Sequence, residues 1–175
     1  KDSTTHEPLS PKELYERQFP SGVVTKIAGD VMKVAEWALN HALLDEFYEA
    51  LSKTLELNPQ HRQAMQLLDL KKSIEQPVQV TDQHRTYMKT VVPGNKMRFE
   101  TSDHFILMCD TPERVGPYRK LPRAQERLEL LELVYASFLY RFHAHDAKLE
   151  IPSEPLMAVL FNEESDFREY SVKLS

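Results

Sequence analysis

The chain has 175 residues, of which 41% are hydrophobic and 28% charged, with a formal net charge of -5 and a pI near 5.8. That is the composition of a globular chain able to bury a core, and it excludes a general nucleic-acid binder, because counterion-release binding needs clustered Lys and Arg facing the phosphates. Cys109 is the single cysteine, so an internal disulfide and a Cys-built zinc cluster within one chain are both ruled out.

No run approaches the ~18 consecutive apolar residues of a membrane span. Lys1 to Pro11 is polar rather than a signal peptide. A signal removed before residue 1 would leave no trace, so a soluble chain is expected with an exported origin left open. Four glycines against eleven prolines disfavour a Gly-rich phosphate loop, and neither GxGxxG nor a Walker-type loop occurs. No cofactor is expected.

In chain order, Lys1 to Pro8 reads as a lead without regular structure. Ser10-Pro11-Lys12-Glu13 then combines an N-cap serine, a proline at the first helical position and a capping-box glutamate, which predicts a short helix to about Gln18. Phe19-Pro20-Ser21-Gly22 breaks it. Asp30 is the expected N-cap of a helix from Val31 to about His41, with Val31, Val34, Ala35 and Ala38 on one apolar face. Leu44, Phe47, Leu51, Thr54 and Leu55 repeat the spacing in a second helix ending near Asn58-Pro59, so the two form a hairpin.

The spacing of Val31, Val34, Ala35, Ala38, Ala42, Leu44, Phe47, Leu51, Thr54 and Pro59 resembles the tetratricopeptide family, which repeats over about thirty-four residues with small or apolar residues at set places. Val31 replaces that family's tryptophan, Ala42 its glycine and Phe47 its alanine. Pro59, with Asn58 as cap, is expected to begin a third helix that covers the hairpin through Ala64, Leu67 and Leu68.

From Gln76 the texture changes. Val78 and Val80 alternate with polar residues, Tyr87 to Val92 has strand composition, and Pro93-Gly94-Asn95-Lys96 has turn chemistry before Met97 to Glu100, which together predict a β-hairpin. Ser102 to Asp110 contains a dense apolar run that reads as a buried strand. A helix is expected from Arg123 to Phe142, with Leu128, Leu131, Tyr135, Phe138, Leu139 and Phe142 inward and Glu132 among the outward charges. Leu156 to Phe161 predicts a second buried strand and Asn162 the cap of a last helix.

The expected fold class is therefore α+β: residues 1-29 as a lead with a short helix, 30-75 as a tetratricopeptide-like helical module, and 76-175 as an α/β portion with a β-hairpin and a βαβα unit. Such a unit places its two strands parallel in one sheet.

The segments Glu100-Thr101-Ser102-Asp103-His104-Phe105-Ile106-Leu107 and Leu156 to Phe167, separated by the long helix, are similar to the opening of peptidase-MA-like (gluzincin-related) bacterial proteins. In that group these elements precede a zinc helix bearing His-Glu-x-x-His, and some members carry helical repeats in front. This chain has no His-Glu-x-x-His, since its one His-Glu pair, His6-Glu7, is followed by Pro8. The resemblance implies a non-catalytic accessory or protein-interaction section of a larger bacterial protein, not itself an enzyme. Two alternatives accompany it: the N-terminal part of a zinc metallopeptidase whose catalytic helix lies beyond residue 175, and a small tetratricopeptide-like adaptor for a peptide.

No catalytic residue is assigned. His143, His145 and Asp146 are the candidate metal ligands, although histidines two apart diverge on a helix and a helix C-terminus alone favours them. His104 beside Asp103 is a candidate acid-base group, with a strand-entry hydrogen bond as the simpler reading. Trp37, Tyr48 and Met65 are the candidate partner-binding residues, for a protein or peptide, against a default of core packing.

Overall fold

The computed structural model describes residues 9–19, 27–92, 97–115, 120–147 and 149–174. The expected lead, the Ser21-Gly22 break and the Pro93 to Lys96 turn lie outside them. The fold is mixed α+β, and the chain divides into two compact units. One falls within Lys1–Lys72 and Ser137–Leu149, the other within Ser73–Ala136 and Glu150–Ser175.

The first unit opens with α1, Pro11–Gln18, started by the capping box that its sequence spells. The Ser10 hydroxyl accepts from the Glu13 N–H at 3.3 Å, and the Glu13 carboxylate accepts from the Ser10 N–H at 2.8 Å. The Ser10 hydroxyl also donates to the Glu13 carboxylate at 2.7 Å, and this bond, with that from the Ser10 N–H, holds the Glu13 carboxyl below its ordinary range.

Helix α2, Ala28–Asn40, begins earlier than its sequence implies, with Ile27 at the N-cap and Asp30 inside the first turn, where it pairs with Lys33 at 2.9 Å. The acid serves the positive helix end there as well as it would at the cap. Val31, Ala35 and Ala38 are fully buried and pack towards α3, Leu44–Leu57, through Phe47, Ala50 and Leu51. Thr54, buried too, donates its hydroxyl to the Ala50 carbonyl at 2.9 Å.

The α2–α3 turn is a Schellman end: Leu43 N–H reaches the Ala38 carbonyl at 2.9 Å and Ala42 N–H the Leu39 carbonyl at 3.1 Å. It holds Ala42 at φ 56°, the left-handed region where glycine is usual.

Helix α4, Arg62–Ile74, starts three residues after Pro59 rather than at it. Asn58 to Gln60 instead form a turn in which the Asn58 side chain accepts from the Gln60 N–H at 3.1 Å, and the His61 ring accepts from the Ala64 N–H at 3.3 Å. Ala64, Leu67 and Ile74 are its buried residues, while Leu68, also expected inside, is half-buried.

The second unit corrects the sequence reading most. Tyr87 to Val92 is not a strand: it ends helix α5, Asp82–Val91. Thr81 caps that helix, its N–H donating to His84 Nδ1 at 3.0 Å, while Met88 and Val92, four apart, are both buried. A cap followed by helical spacing outweighs strand-prone composition. Val78 and Val80 lie outside the sheet, in no regular element.

The β-hairpin is made by β1, Arg98–Thr101, and β2, Phe105–Cys109, paired antiparallel with Thr101 opposite Ile106 across the short turn Ser102–His104. Helix α6, Arg123–Ala144, follows, and then β3, Leu156–Leu160, pairs parallel to β2 with Phe105 opposite Leu156. The sheet order is β1-β2-β3, which leaves β3 at an edge, so it is half-exposed rather than the second buried strand its apolar run implies. Last comes α7, Glu164–Leu174, which Asn162 precedes without capping, its side-chain amide donating to the Glu163 carboxylate at 2.7 Å and its N–H to the Asp110 carboxylate at 2.6 Å.

All five β2 residues are buried, as a central strand with two covered faces requires. Ile106 and Met108 join Met88, Val92, Val159, Phe161 and Tyr170 in one cluster. Phe105, on the opposite face, meets Tyr135 of α6 edge-on at 6.1 Å.

Helix α6 buries part of the expected face: Leu128, Tyr135 and Leu139 are inside, but Phe138 and Phe142 are not. Ala124, Leu128, Tyr135, Ala136, Leu139 and Tyr140 are inside, whereas Leu130, Val134, Phe138 and Phe142 are exposed. Its residues to Ala136 belong to the second unit and those from Ser137 to the first.

Candidate functional site

The densest polar constellation in the second unit stands where β2 begins, and its central residue is Glu132. Positions 128, 132, 135 and 136 share one helical face, so the Glu132 carboxylate enters among buried neighbours and needs partners. It accepts from the Ser102 hydroxyl at 2.5 Å, the His104 N–H at 2.8 Å and His104 Nδ1 at 2.7 Å. His104 Nε2 faces the Gln76 carbonyl at 3.2 Å, and the ring stacks on Tyr135 with centroids 4.4 Å apart.

Serine, histidine and a carboxylate in contact have the ingredients of a nucleophilic triad, yet the order is wrong for one. A triad needs the imidazole between hydroxyl and acid, so that it can take the serine proton. Here the carboxylate lies between them. With both ring nitrogens committed and the residue buried, His104 presents no free atom to a substrate. The group is a clasp that ties the Ser102–His104 turn to α6.

The open cavity of about 360 Å³ beside it is lined by Thr101, Ser102, Gln125, Leu128, Glu129 and Glu132. It offers two carboxylates and no cation, a poor lining for an anionic substrate. Sequence reasoning set Glu132 among outward charges and paired His104 with Asp103. The spacing of Leu128, Glu132 and Ala136 was the available signal.

The metal candidates are explained by the end of α6. Asp146 N–H reaches the His143 carbonyl at 3.1 Å and Ala147 N–H the Phe142 carbonyl at 2.9 Å, a second Schellman end, with Asp146 at φ 59°. His143 Nε2 is turned to the Leu149 carbonyl at 3.1 Å, while His145 is exposed. Among the described residues no group of three or more His, Cys, Asp or Glu is placed to hold a metal ion. His143 and Asp146 do line, with Arg62, Gln66 and Asp69, an open cleft of about 710 Å³ in the first unit.

The structure does not bring the three partner-binding candidates into one groove. Trp37 stacks on His41 at 3.9 Å and lies beside Tyr15 and Phe19 at 5.8 and 6.1 Å, so its face of α2 is the one that receives α1. Tyr48 belongs to a second cluster with Phe47 and Tyr140, and Lys71 Nζ sits 4.0 Å above its ring. Met65, on α4, is exposed.

Cys109 is buried at the end of β2, where burial pushes its thiol pKa up, the opposite of what a nucleophilic cysteine needs. Among the described residues no helix is long and apolar enough to cross a membrane. Comparison with family models, with curated proteins and with solved structures finds no match to this chain.

Proposed function

We propose that this chain is a non-catalytic, partner-binding section of a larger bacterial protein related to the peptidase-MA-like group, with α2 and α3 as its tetratricopeptide-like hairpin. The observation that carries the partner-binding reading is the outer face of α6. Phe138 and Phe142, both in the first unit, are 50% and 40% exposed with ring centroids 4.6 Å apart, one turn from each other. Scattered apolar side chains on a surface need no explanation, but large ones in a row along a helix are what a partner's groove receives.

The commitment of His104 and the burial of Cys109 support the absence of chemistry. The parallel pairing of β2 with β3 on either side of α6 supports the relation to that group, as does α7 directly after β3.

A photo-crosslinking amino acid at position 138 tests the reading in cells, with position 125 on the same helix as the control. A discrete protein adduct from 138 and none from 125 is expected. Equal, diffuse labelling from both positions rejects the interaction surface. Sequencing the gene downstream of codon 175 tests the family relation separately: a His-Glu-x-x-His helix there would make the whole protein a metallopeptidase and this chain its front section.

A further inference from the structure

A different surface carries a second interaction, the open edge of β3. Leu156 N–H donates to the His104 carbonyl at 2.8 Å, and the Leu160 carbonyl accepts from the Asp110 N–H at 3.4 Å. In a parallel strand these groups alternate, so residues 156, 158 and 160 bond to β2 while Met157 and Val159 turn their N–H and C=O groups to the outside. No hydrogen bond joins the Met157 or Val159 backbone to another described segment.

Exposed edges are normally blunted by lysine, proline, a bulge or a cover, because a bare row of donors and acceptors recruits another strand. Leu156-Met157-Ala158-Val159-Leu160 has none of the blunting residues, which stop at Pro155, the next outward position, where the row of donors ends, and it keeps the uninterrupted apolar composition of an interior strand. Its first two side chains are 36% and 42% exposed.

We propose that β3 pairs antiparallel with β3 of a second copy of this chain, about a twofold axis at Ala158, joining two three-stranded sheets into one. The sequence around the axis is self-complementary. Met157 meets Val159 of the second copy twice, and since these residues carry the outward groups, each meeting is a hydrogen-bonded pair with both bonds made.

Ala158 then faces its own copy across the axis in a non-hydrogen-bonded pair, where Cα atoms approach to about 4.5 Å and a small side chain suits the closeness. Further out, Glu154 lies opposite Asn162, and Glu163 opposite Ser153, so no like charges oppose each other. A one-residue slip would bring inward-bonded groups against outward ones and lose the bonds.

The test is the solution mass of the 175-residue chain by sedimentation equilibrium, at concentrations up to about 100 μM, where a micromolar dimer is well populated. Twice the chain mass of 20.4 kDa is expected. Val159→Pro removes an outward N–H that β2 does not use, and Met157→Lys adds a charge at an exposed edge position. Both variants should run at the single-chain mass with unchanged far-UV circular dichroism. If Val159→Pro misfolds, Met157→Lys decides.

Ala158→Cys checks the register, because a cross-axis pair at that separation closes a disulfide. Oxidation should give a covalent dimer from that variant and none from Leu160→Cys. A single-chain mass for the unaltered protein at every concentration overturns the proposal. So does a dimer that survives both edge variants, or one that Ala158→Cys does not lock.

Discussion

Glu132 and His104, separated by 28 residues in sequence, are joined by two hydrogen bonds, one from the His104 N–H at 2.8 Å and one from its Nδ1 at 2.7 Å. The first fixes the backbone at the entrance to β2 and the second fixes the ring. Because Ser102 adds a third donor, removing the carboxylate leaves three groups unpaired in a partly buried place.

Glu132→Ala is therefore expected to lower stability by about 3 kcal/mol, about 1 kcal/mol for each of the three donors left without an acceptor. Glu132→Gln, which keeps an acceptor, should cost less. Urea unfolding midpoints at unchanged slope measure both. A change below about 0.5 kcal/mol for the alanine variant, the ordinary surface range, would show that the clasp contributes nothing.

Ala42 holds a left-handed conformation at the end of α2, which costs an L-residue about 1 kcal/mol and glycine almost nothing. Ala42→Gly should accordingly stabilise the chain by about 0.5 kcal/mol after the extra freedom of the unfolded glycine is offset. Ala42→Val should destabilise it. The thermal midpoints of the three proteins rank in that order if the Schellman turn is as described.

The two faces of α6 predict opposite responses to truncation. Leu139→Ala empties a buried site and is expected to cost about 2 to 5 kcal/mol. Phe138→Ala, its neighbour, should change stability by no more than about 0.5 kcal/mol despite the larger deletion. Chemical denaturation of the pair decides which side faces the core.

Tyr15 and Tyr135 have pKa values raised above their ordinary value, in both cases first by burial and then by nearby glutamates: Glu49 and Glu46 for Tyr15, Glu132 for Tyr135. In the unfolded chain these phenols ionise at the ordinary value, and in the fold they ionise later. Stability is then fully present below about pH 10 and falls as pH rises from there through the raised values. Cys109 behaves alike from its own lower starting point, with burial the largest cause. Spectrophotometric titration should find some of the seven tyrosines ionising late, and Cys109 should react with a thiol reagent only on unfolding.

Much of the architecture was legible because it rests on local signals. The Ser10 capping box, the paired apolar faces of α2 and α3, and the dense run that became β2 are each set by residues within a few positions of one another. The limits of α5 were not legible in the same way, since Tyr87 to Val92 fits a strand by composition. Met88 and Val92 became a helical pair only through burial beside Ile106 and Met108.

The inward side of α6 shows the same division. Its apolar residues surround much of the helix, so periodicity left several faces admissible, and Phe138 and Phe142 fell on the wrong one.

The sequence by itself determined that the chain is α+β, where α1, the α2–α3 pair and the buried strand β2 lie, and that no His-Glu-x-x-His occurs in it, because these depend on near-neighbour chemistry. Only the tertiary structure decided that Glu132 stands between Ser102 and His104 and that β3 ends the sheet with an open edge. Those facts depend on which distant segments meet, and a long-range meeting is settled by packing the whole core rather than by any stretch of chain within it.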